Sequence, residues 1–284
     1  MGEAGLIIAR IVSYAAMLLA AGIPLYRLSA GRNLADDHDA RMPVCLAAFV
    51  AIAASLWWVL ESIASMAAVP LSDLDRATVS AVLGATPLGN VLAIRTAALV
   101  VVAIAALRRR YLIAALAASV ALATAAWTGH AGASEGTLGH LHRAADVVHL
   151  LAAATWIGAL VLFLTVLTGS HDRDALIRHL SGFARTGSVI VLLLLITGVV
   201  NLLITAGWPP DWTSTWSLLL LAKLAMFGAM LGLAACNRWK LTPALERNDP
   251  GSRRALLISL CAETSLAFAI VATVAALGTL SPAP

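Results

Sequence analysis

The side chains of this sequence that could do chemistry are concentrated in one histidine-rich stretch. Four of the seven histidines fall within 20 consecutive residues, which begin at His130 and end at His149. His142, Asp146 and His149 are spaced i, i+4 and i+7, so they share one face of a helix, and Trp156 continues that face. Imidazole is the commonest metal ligand and suits copper, zinc, iron and nickel, and a nearby carboxylate can hold its second ring N–H. The pattern predicts a metal site at four residues: His130, His142, Asp146 and His149.

Five further polar residues interrupt apolar segments at a similar depth: Arg10, Glu61, Arg95, Asn201 and Lys223. An ionisable group in hydrocarbon costs at least about 2.5–3.5 kcal/mol, so these side chains are expected to face partners or a wet cavity. We expect a shared polar chamber that Trp156 also borders, in which Glu61 and Asp146 balance the cations. Glu61 and Met66 are candidate additional ligands. The alternatives are that the ionisable residues pair to join helices, and that His142 is a solvated loop residue.

The three cysteines lie at the opposite depth. Cys45, Cys236 and Cys261 fall in the other third of their apolar segments, and soft thiolates favour Cu(I). They are a candidate inner relay for a metal, although a buried cysteine is also simply a small apolar residue. Two glycines spaced i, i+4, Gly228 and Gly232, predict a close approach between two helices.

The elements that must position these residues are membrane-spanning helices. Of the 284 residues, 61% are hydrophobic and 12% are charged, about half the charged share of a soluble domain, which excludes a soluble enzyme or nucleic-acid binder. About 20 apolar residues suffice to span a membrane as a helix. Eight segments qualify: 4–26, 44–69, 88–107, 111–130, 146–168, 186–206, 215–236 and 256–279. The sequence predicts an all-α, polytopic membrane protein, an eight-helix bundle that forms a single domain over 1–284.

The distribution of positive charge predicts the orientation of the bundle. Connections after the first, third, fifth and seventh segments hold 14 Lys and Arg residues, Arg32 among them, and the other three connections hold 2. The positive-inside rule places both termini, and the histidine-rich stretch, on the outer (periplasmic) side. The first segment lacks a basic start, so we interpret it as a span and not as a signal peptide. Trp208, Trp212 and Trp216 predict an interfacial aromatic belt, or alternatively a lid over the chamber.

Several motifs are absent from the sequence. It contains no phosphate-binding Gly-Lys-Ser/Thr loop, no Asp-Lys-Thr-Gly phosphorylation sequence, no Gly-x-Ser-x-Gly and no His-Glu-x-x-His. These absences argue against an ATP-driven pump and against the corresponding hydrolases. We therefore expect a protein that is not an enzyme.

Several separated motifs occur in an order that resembles one known family. They are Phe183-Ala-Arg-Thr-Gly187, Thr197-Gly198, Lys223, Asn237-Arg238, Leu241-Thr-Pro-Ala-Leu245 and the run from His149 to Gly158. The pattern is similar to the copper resistance protein D family (CopD/PcoD and the membrane part of YcnJ-type proteins). The resemblance implies a role in copper homeostasis at the cell inner membrane, often beside the periplasmic copper-binding protein CopC. His130, His149 and Trp156 match motif positions.

Two interpretations from different classes follow, and a third is weaker. The first is a permease, passive or proton-coupled, that moves a copper ion from the outer chamber towards the cysteines. The second is a redox protein in which His130 and His149 ligate a b-type haem, with arginines at its propionates. The third is an assembly factor that holds copper without transporting it. The permease interpretation has one difficulty. Arg10, Arg95 and Lys223 would repel a cation unless they pair with carboxylates or the cargo is anionic.

Overall fold

A computed structural model of the chain describes residues 2–30, 39–169, 173–207 and 212–282. Its helices are α1 (Gly2–Ser29), α2 (Arg41–Ala67), α3 (Arg76–Ala85), α4 (Leu88–Leu107), α5 (Tyr111–Ala123), α6 (His130–Ala133), α7 (Gly136–Thr168), α8 (Arg173–Ala206), α9 (Thr215–Cys236), α10 (Thr242–Glu246) and α11 (Ser252–Leu277). Short 3₁₀ turns lie at Leu71–Asp73 and Thr124–Trp127, and a π-helical turn at Asn237–Leu241. No strand occurs in these ranges. Arg32 and Trp208, which the sequence argument used, lie outside the described residues.

Seven of the helices are long and apolar enough to cross a membrane, which confirms the predicted all-α, multi-pass architecture. The predicted fourth span is the exception. Its α-helical part, α5, has 13 residues, and a four-residue 3₁₀ turn extends the apolar helix to Trp127. At 1.5 and 2.0 Å per residue the two parts measure about 28 Å, slightly less than the hydrocarbon core. The chain then turns at Gly129, so His130 begins α6 and does not end the span.

The histidine-rich stretch is more helical than the sequence suggested. We expected a loop up to residue 145, but α7 begins at Gly136 and runs without interruption to Thr168. The residues between 137 and 145 include Leu, His, Arg and Ala, all of which tolerate a helix, and nothing after Gly139 interrupts it. The consequence is that His142, Asp146 and His149 are carried by one continuous helix.

The core of the bundle is centred on α1, which packs against α2, α5, α7 and α11. The closest approach joins α1 to α7, where a Cβ at Gly22 would overlap the carbonyl of Ala154 and a Cβ at Gly158 would overlap the carbonyl of Gly22. Only glycine at both positions allows the backbones this close. The expected approach at Gly228 and Gly232 is wrong, since nothing lies within 4 Å of a Cβ at either position.

Two helix pairs face each other across a series of cavities. Helix α8 packs mainly on α7, and α9 packs mainly on α11. The cavities between these pairs are lined by residues of α7, α8, α9 and α11, and at one end also by α1 and the α5–α6 connection. This arrangement positions the candidate site.

Candidate functional site

The polar cavity at the end of the bundle where α7 begins gathers most of the residues predicted from the sequence. We call it the histidine cavity; its volume is about 180 Å³. Its lining includes Arg10, His130, His142, Asp146, His149, Asn201 and Lys223. These seven side chains come from α1, α6, α7, α8 and α9, so the expected shared chamber exists for this part of the predicted set.

His149 presents a nitrogen lone pair that no group in the described part of the chain uses. Its Nδ1 lies 2.9 Å from Thr197 Oγ1, and the Thr197 hydroxyl donates to the carbonyl of Leu193 at 2.6 Å. Because that hydroxyl has a single proton, Thr197 must accept from His149 Nδ1–H. The tautomer follows from this network: Nδ1 carries the proton and Nε2 keeps its lone pair available to a ligand.

A hydrogen bond also fixes the tautomer of His130, but here the proton lies on the other ring nitrogen. Its Nε2 lies 3.3 Å from the carbonyl oxygen of Leu277, which can only accept a hydrogen bond. Nε2 therefore carries the proton, and Nδ1 is the nitrogen with the available lone pair. Two imidazoles that line one cavity thus each retain one unprotonated nitrogen.

His142 is the least available of the three histidines. It is 3% exposed, and both of its ring nitrogens are engaged: Nδ1 lies 2.8 Å from Ser134 Oγ and Nε2 lies 3.3 Å from Thr205 Oγ1. It is neither solvated nor free to bind an ion without breaking a hydrogen bond. The structure makes His142 a buried link between α7, α8 and the chain before α7.

The cavity also contains oxygen groups beside the imidazoles. Asn201 Nδ2 donates to Asp146 Oδ1 at 3.4 Å, and Asn201 Oδ1 is buried without a hydrogen-bond partner among the described residues. Lys223 lies within electrostatic range of Asp146 but forms no direct ion pair with it in the described part of the chain. A polar ligand could therefore still interact with these groups.

The expected balance by carboxylates is not found for Arg10 and Arg95 among the described residues, whereas Lys223 lies within electrostatic range of Asp146 as expected. Arg10 donates to the carbonyl of Ala275 at 3.3 Å, and Arg95 donates to Thr124 Oγ1 at 2.8 Å and lies over the ring of Trp58, 5.3 Å from its centroid. Within the described ranges, no salt bridge joins either arginine to a carboxylate. Both guanidinium groups are held by neutral acceptors because those acceptors lie on the helices that pack against them.

Four other predicted residues do not line the histidine cavity: Glu61, Met66, Arg95 and Trp156. Glu61 accepts from Trp57 Nε1 at 3.0 Å and packs against Gly5, because α2 presents it towards the start of α1. Met66 is 61% exposed on the outside of the bundle. The expectation that Glu61 and Met66 would complete the ligand set is therefore wrong for this arrangement of helices.

Among the described residues, the three cysteines do not share one metal site. Cys45 Sγ donates to the carbonyl of Ala103 at 3.5 Å, between α2 and α4, whereas Cys236 ends α9 and Cys261 is exposed on α11. Across the described residues, no group of three His, Cys, Asp or Glu side chains is placed to hold one metal ion. The thiols are not carried into the function proposed below.

One buried carboxylate was not predicted from the sequence. Glu263, on α11, is 2% exposed and accepts from Trp156 Nε1 at 2.8 Å and from Asn237 Nδ2 at 3.0 Å. The three side chains border a cavity of about 300 Å³, the carboxylate cavity, at the end of the bundle where α9 ends. The sequence does contain a signal, a lone glutamate in the apolar segment 256–279. This glutamate lies at a different depth from the polar residues that predicted the chamber.

A third cavity lies between the other two and shares lining residues with each. This apolar cavity, of about 280 Å³, shares His149 and Lys223 with the histidine cavity and shares Trp156 with the carboxylate cavity. Its remaining lining is almost entirely aliphatic and aromatic, for example Phe227 and Met230. The three cavities therefore form a series from one end of the bundle to the other.

Comparison with known proteins agrees with this architecture. Residues 1–140 match the model of the copper resistance protein D-like N-terminal domain, and residues 177–277 match that of copper resistance protein D. The chain is 40% identical over 215 residues to copper resistance protein D of Pseudomonas syringae pv. tomato, covering 69% of each protein. The chain belongs to the copper resistance protein D family. The resemblance inferred from the sequence motifs is thereby confirmed.

A second curated relative is the inner membrane protein YebZ of Escherichia coli (strain K12). It is 30% identical over 159 residues, which is 55% of each protein. No solved structure shows a significant match to the chain. Together with the apolar helices, these relatives establish a multi-pass inner-membrane protein of the copper resistance family.

Proposed function

We propose that this protein carries copper across the inner membrane from the periplasm to the cytoplasm. The observation that carries the proposal is the pair of available imidazole nitrogens, His130 Nδ1 and His149 Nε2, on two residues that line one polar cavity. Imidazole is a good copper ligand, and the chain belongs to a family named for copper resistance.

The incomplete ligand set fits a carrier better than a storage site. Conduction requires that an ion bind strongly enough to enter and weakly enough to leave. Two imidazoles, with Asp146 and the unpartnered Asn201 Oδ1 nearby, give partial coordination and no closed cage. Arg10 and Lys223 weaken binding further by repelling the cation. We infer that copper remains exchangeable at this site.

The cavity series supplies a route. Copper would enter the histidine cavity, pass His149 and Lys223 into the apolar cavity, and pass Trp156 into the carboxylate cavity. The positive-inside rule assigns the histidine cavity to the periplasmic side, so inward movement follows this order. On that side a periplasmic copper-binding protein such as CopC could deliver the ion, as the family resemblance implies.

The haem alternative gains no support from the cavity size. The histidine cavity holds about 180 Å³, below the roughly 300–1,000 Å³ typical of pockets for drug-sized ligands. A porphyrin between His130 and His149 would require the helices to separate, whereas a single ion would not.

Copper uptake by purified protein in sealed liposomes, with a copper-sensitive dye enclosed, tests the proposal. Uptake well above that of protein-free liposomes is the expected result. Copper that binds to the protein but does not reach the dye would identify a holding factor instead. A haem Soret band in the purified protein would favour the redox interpretation.

Thr197→Val removes the group that fixes the tautomer of His149 with almost no change in volume. Loss of such an orienting partner typically costs about 10–100-fold in metal affinity, and we expect a decrease in copper affinity of that size. Competition with a chromogenic copper chelator measures it. Thr197→Ser should restore the affinity because serine keeps the hydroxyl, and an unchanged affinity in Thr197→Val would show that His149 is not a ligand.

A further inference from the structure

The carboxylate of Glu263 is enclosed without a counter-charge. Each of its oxygens accepts one N–H, Oε1 from Trp156 and Oε2 from Asn237. No salt bridge to Glu263 is present in the described part of the chain. Burying an ionised carboxylate is costly unless it is paired, so this site favours the uptake of positive charge.

Asn237 supplies a second, independent sign of a missing ligand. It is 7% exposed and begins the π-helical turn that follows α9, a type of irregularity frequent at functional sites. Its Nδ2 must face Glu263 as the donor, which fixes Oδ1 as the other amide atom. That oxygen is buried and has no hydrogen-bond partner among the described residues. A donor is therefore missing beside the carboxylate.

The charged groups on the helices around Glu263 do not neutralise its carboxylate. The elements packed against α11 carry these titratable or cationic groups: Arg10, Tyr14, Tyr26, Arg27, His140, His142, Arg143, Asp146, His149, Lys223, Cys236, Arg238, Lys240 and Glu246. Of these, Arg238 lines the carboxylate cavity. Its Nη1 already donates to Ala184 O at 3.3 Å and to Ser188 Oγ at 3.2 Å.

We propose that Glu263 is a proton-binding site, loaded through the carboxylate cavity and coupled to the proposed copper transport. The proton comes from water where the cavity opens beside the exposed Arg238 and Trp239, and it is held as an O–H on Glu263 with no electron transfer. A proton needs one carboxylate oxygen and supplies the donor that Asn237 Oδ1 lacks. A metal ion such as Mg²⁺ or Ca²⁺ would need about six or more oxygen ligands, which this cluster does not offer.

Infrared spectroscopy of the copper-free protein tests the proton site directly. The wild-type minus Glu263→Gln difference spectrum should contain the carbonyl stretch of a protonated carboxyl, and this difference band should disappear as pH rises. Glu61→Gln is the matched control, because Glu61 also accepts from an indole N–H, that of Trp57, but lacks the asparagine and the cavity. A wild-type minus Glu263→Gln difference spectrum that lacks this band, or whose band does not change with pH, would overturn the proposal.

A second variant keeps the test valid if Glu263→Gln does not fold. Trp156→Phe keeps an aromatic ring but removes the N–H that favours the ionised carboxylate, so the band should persist to higher pH, whereas Trp57→Phe should leave it unchanged. Equal behaviour of the two variants would contradict the assignment.

The same variants separate this inference from the proposed function on which its coupling step rests. If wild type takes up copper and Glu263→Gln does so at the same rate with no effect of a pH gradient, coupling fails and copper transport stands. If the infrared band behaves as expected but wild type takes up no copper, the proton site stands and the proposed function fails.

Discussion

His149→Ala is expected to reduce copper uptake into liposomes by more than about 100-fold. The substitution removes the Nε2 lone pair, and it removes it from the residue that lines both the histidine cavity and the apolar cavity. Loss of a mere orienting partner costs about 10–100-fold in affinity, so loss of a ligand at the point of passage should cost more. The measurement is the initial rate of copper entry at equal protein density.

His140→Ala is the matched control for this prediction. His140 lies on the same helix, two turns and a half before His149, but its side chain is exposed and does not line the cavity. Its substitution should leave the uptake rate unchanged. Similar losses in the two variants would show that the helix, and not the imidazole of His149, matters for transport.

Gly158→Ala is expected to destabilise the bundle, although alanine is the better helix former. The added Cβ would overlap backbone atoms of Gly22 and Ile23, which cannot move without separating α1 from α7. Overpacking of this kind typically costs about 1–3 kcal/mol or more, which exceeds the gain of about 1 kcal/mol in helix propensity. Thermal unfolding in detergent, followed by circular dichroism, measures the effect as a lowered midpoint.

Gly228→Ala, the same change at another glycine, is not expected to lower the unfolding midpoint. A Cβ at Gly228 meets nothing within 4 Å, so only the propensity gain remains and the unfolding midpoint should stay the same or rise. A lowered midpoint for Gly228→Ala would contradict the open space beside that residue, and an unchanged midpoint for Gly158→Ala would contradict the packing of α1 on α7.

The sequence predicted the membrane helices well because their signal is local. A long apolar run must form a helix in lipid, and seven predicted segments correspond to long apolar helices. The start of α7 at Gly136 was missed because hydropathy marks the part of a helix in hydrocarbon and not the turns beyond it. The glycine contact was placed at the wrong pair, since spacing within one helix does not say which face another helix covers.

The candidate site was predictable in its residue types but not in its chemistry. The spacing of His142, Asp146 and His149 correctly placed them on one helix that borders a shared cavity. Which ring nitrogen keeps its lone pair depends on Thr197 for His149 and on the carbonyl of Leu277 for His130, and both partners lie far away in sequence. The position of Glu61 likewise depended on how α2 packs against α1, which no motif reveals.

X-ray absorption spectroscopy of the copper-loaded protein tests the central claim most directly. We expect scattering from two imidazole rings around copper in wild type and in His140→Ala, and from one ring in His149→Ala and in His130→Ala. Copper that shows no imidazole scattering, or the same scattering in all four proteins, would contradict a copper site in the histidine cavity.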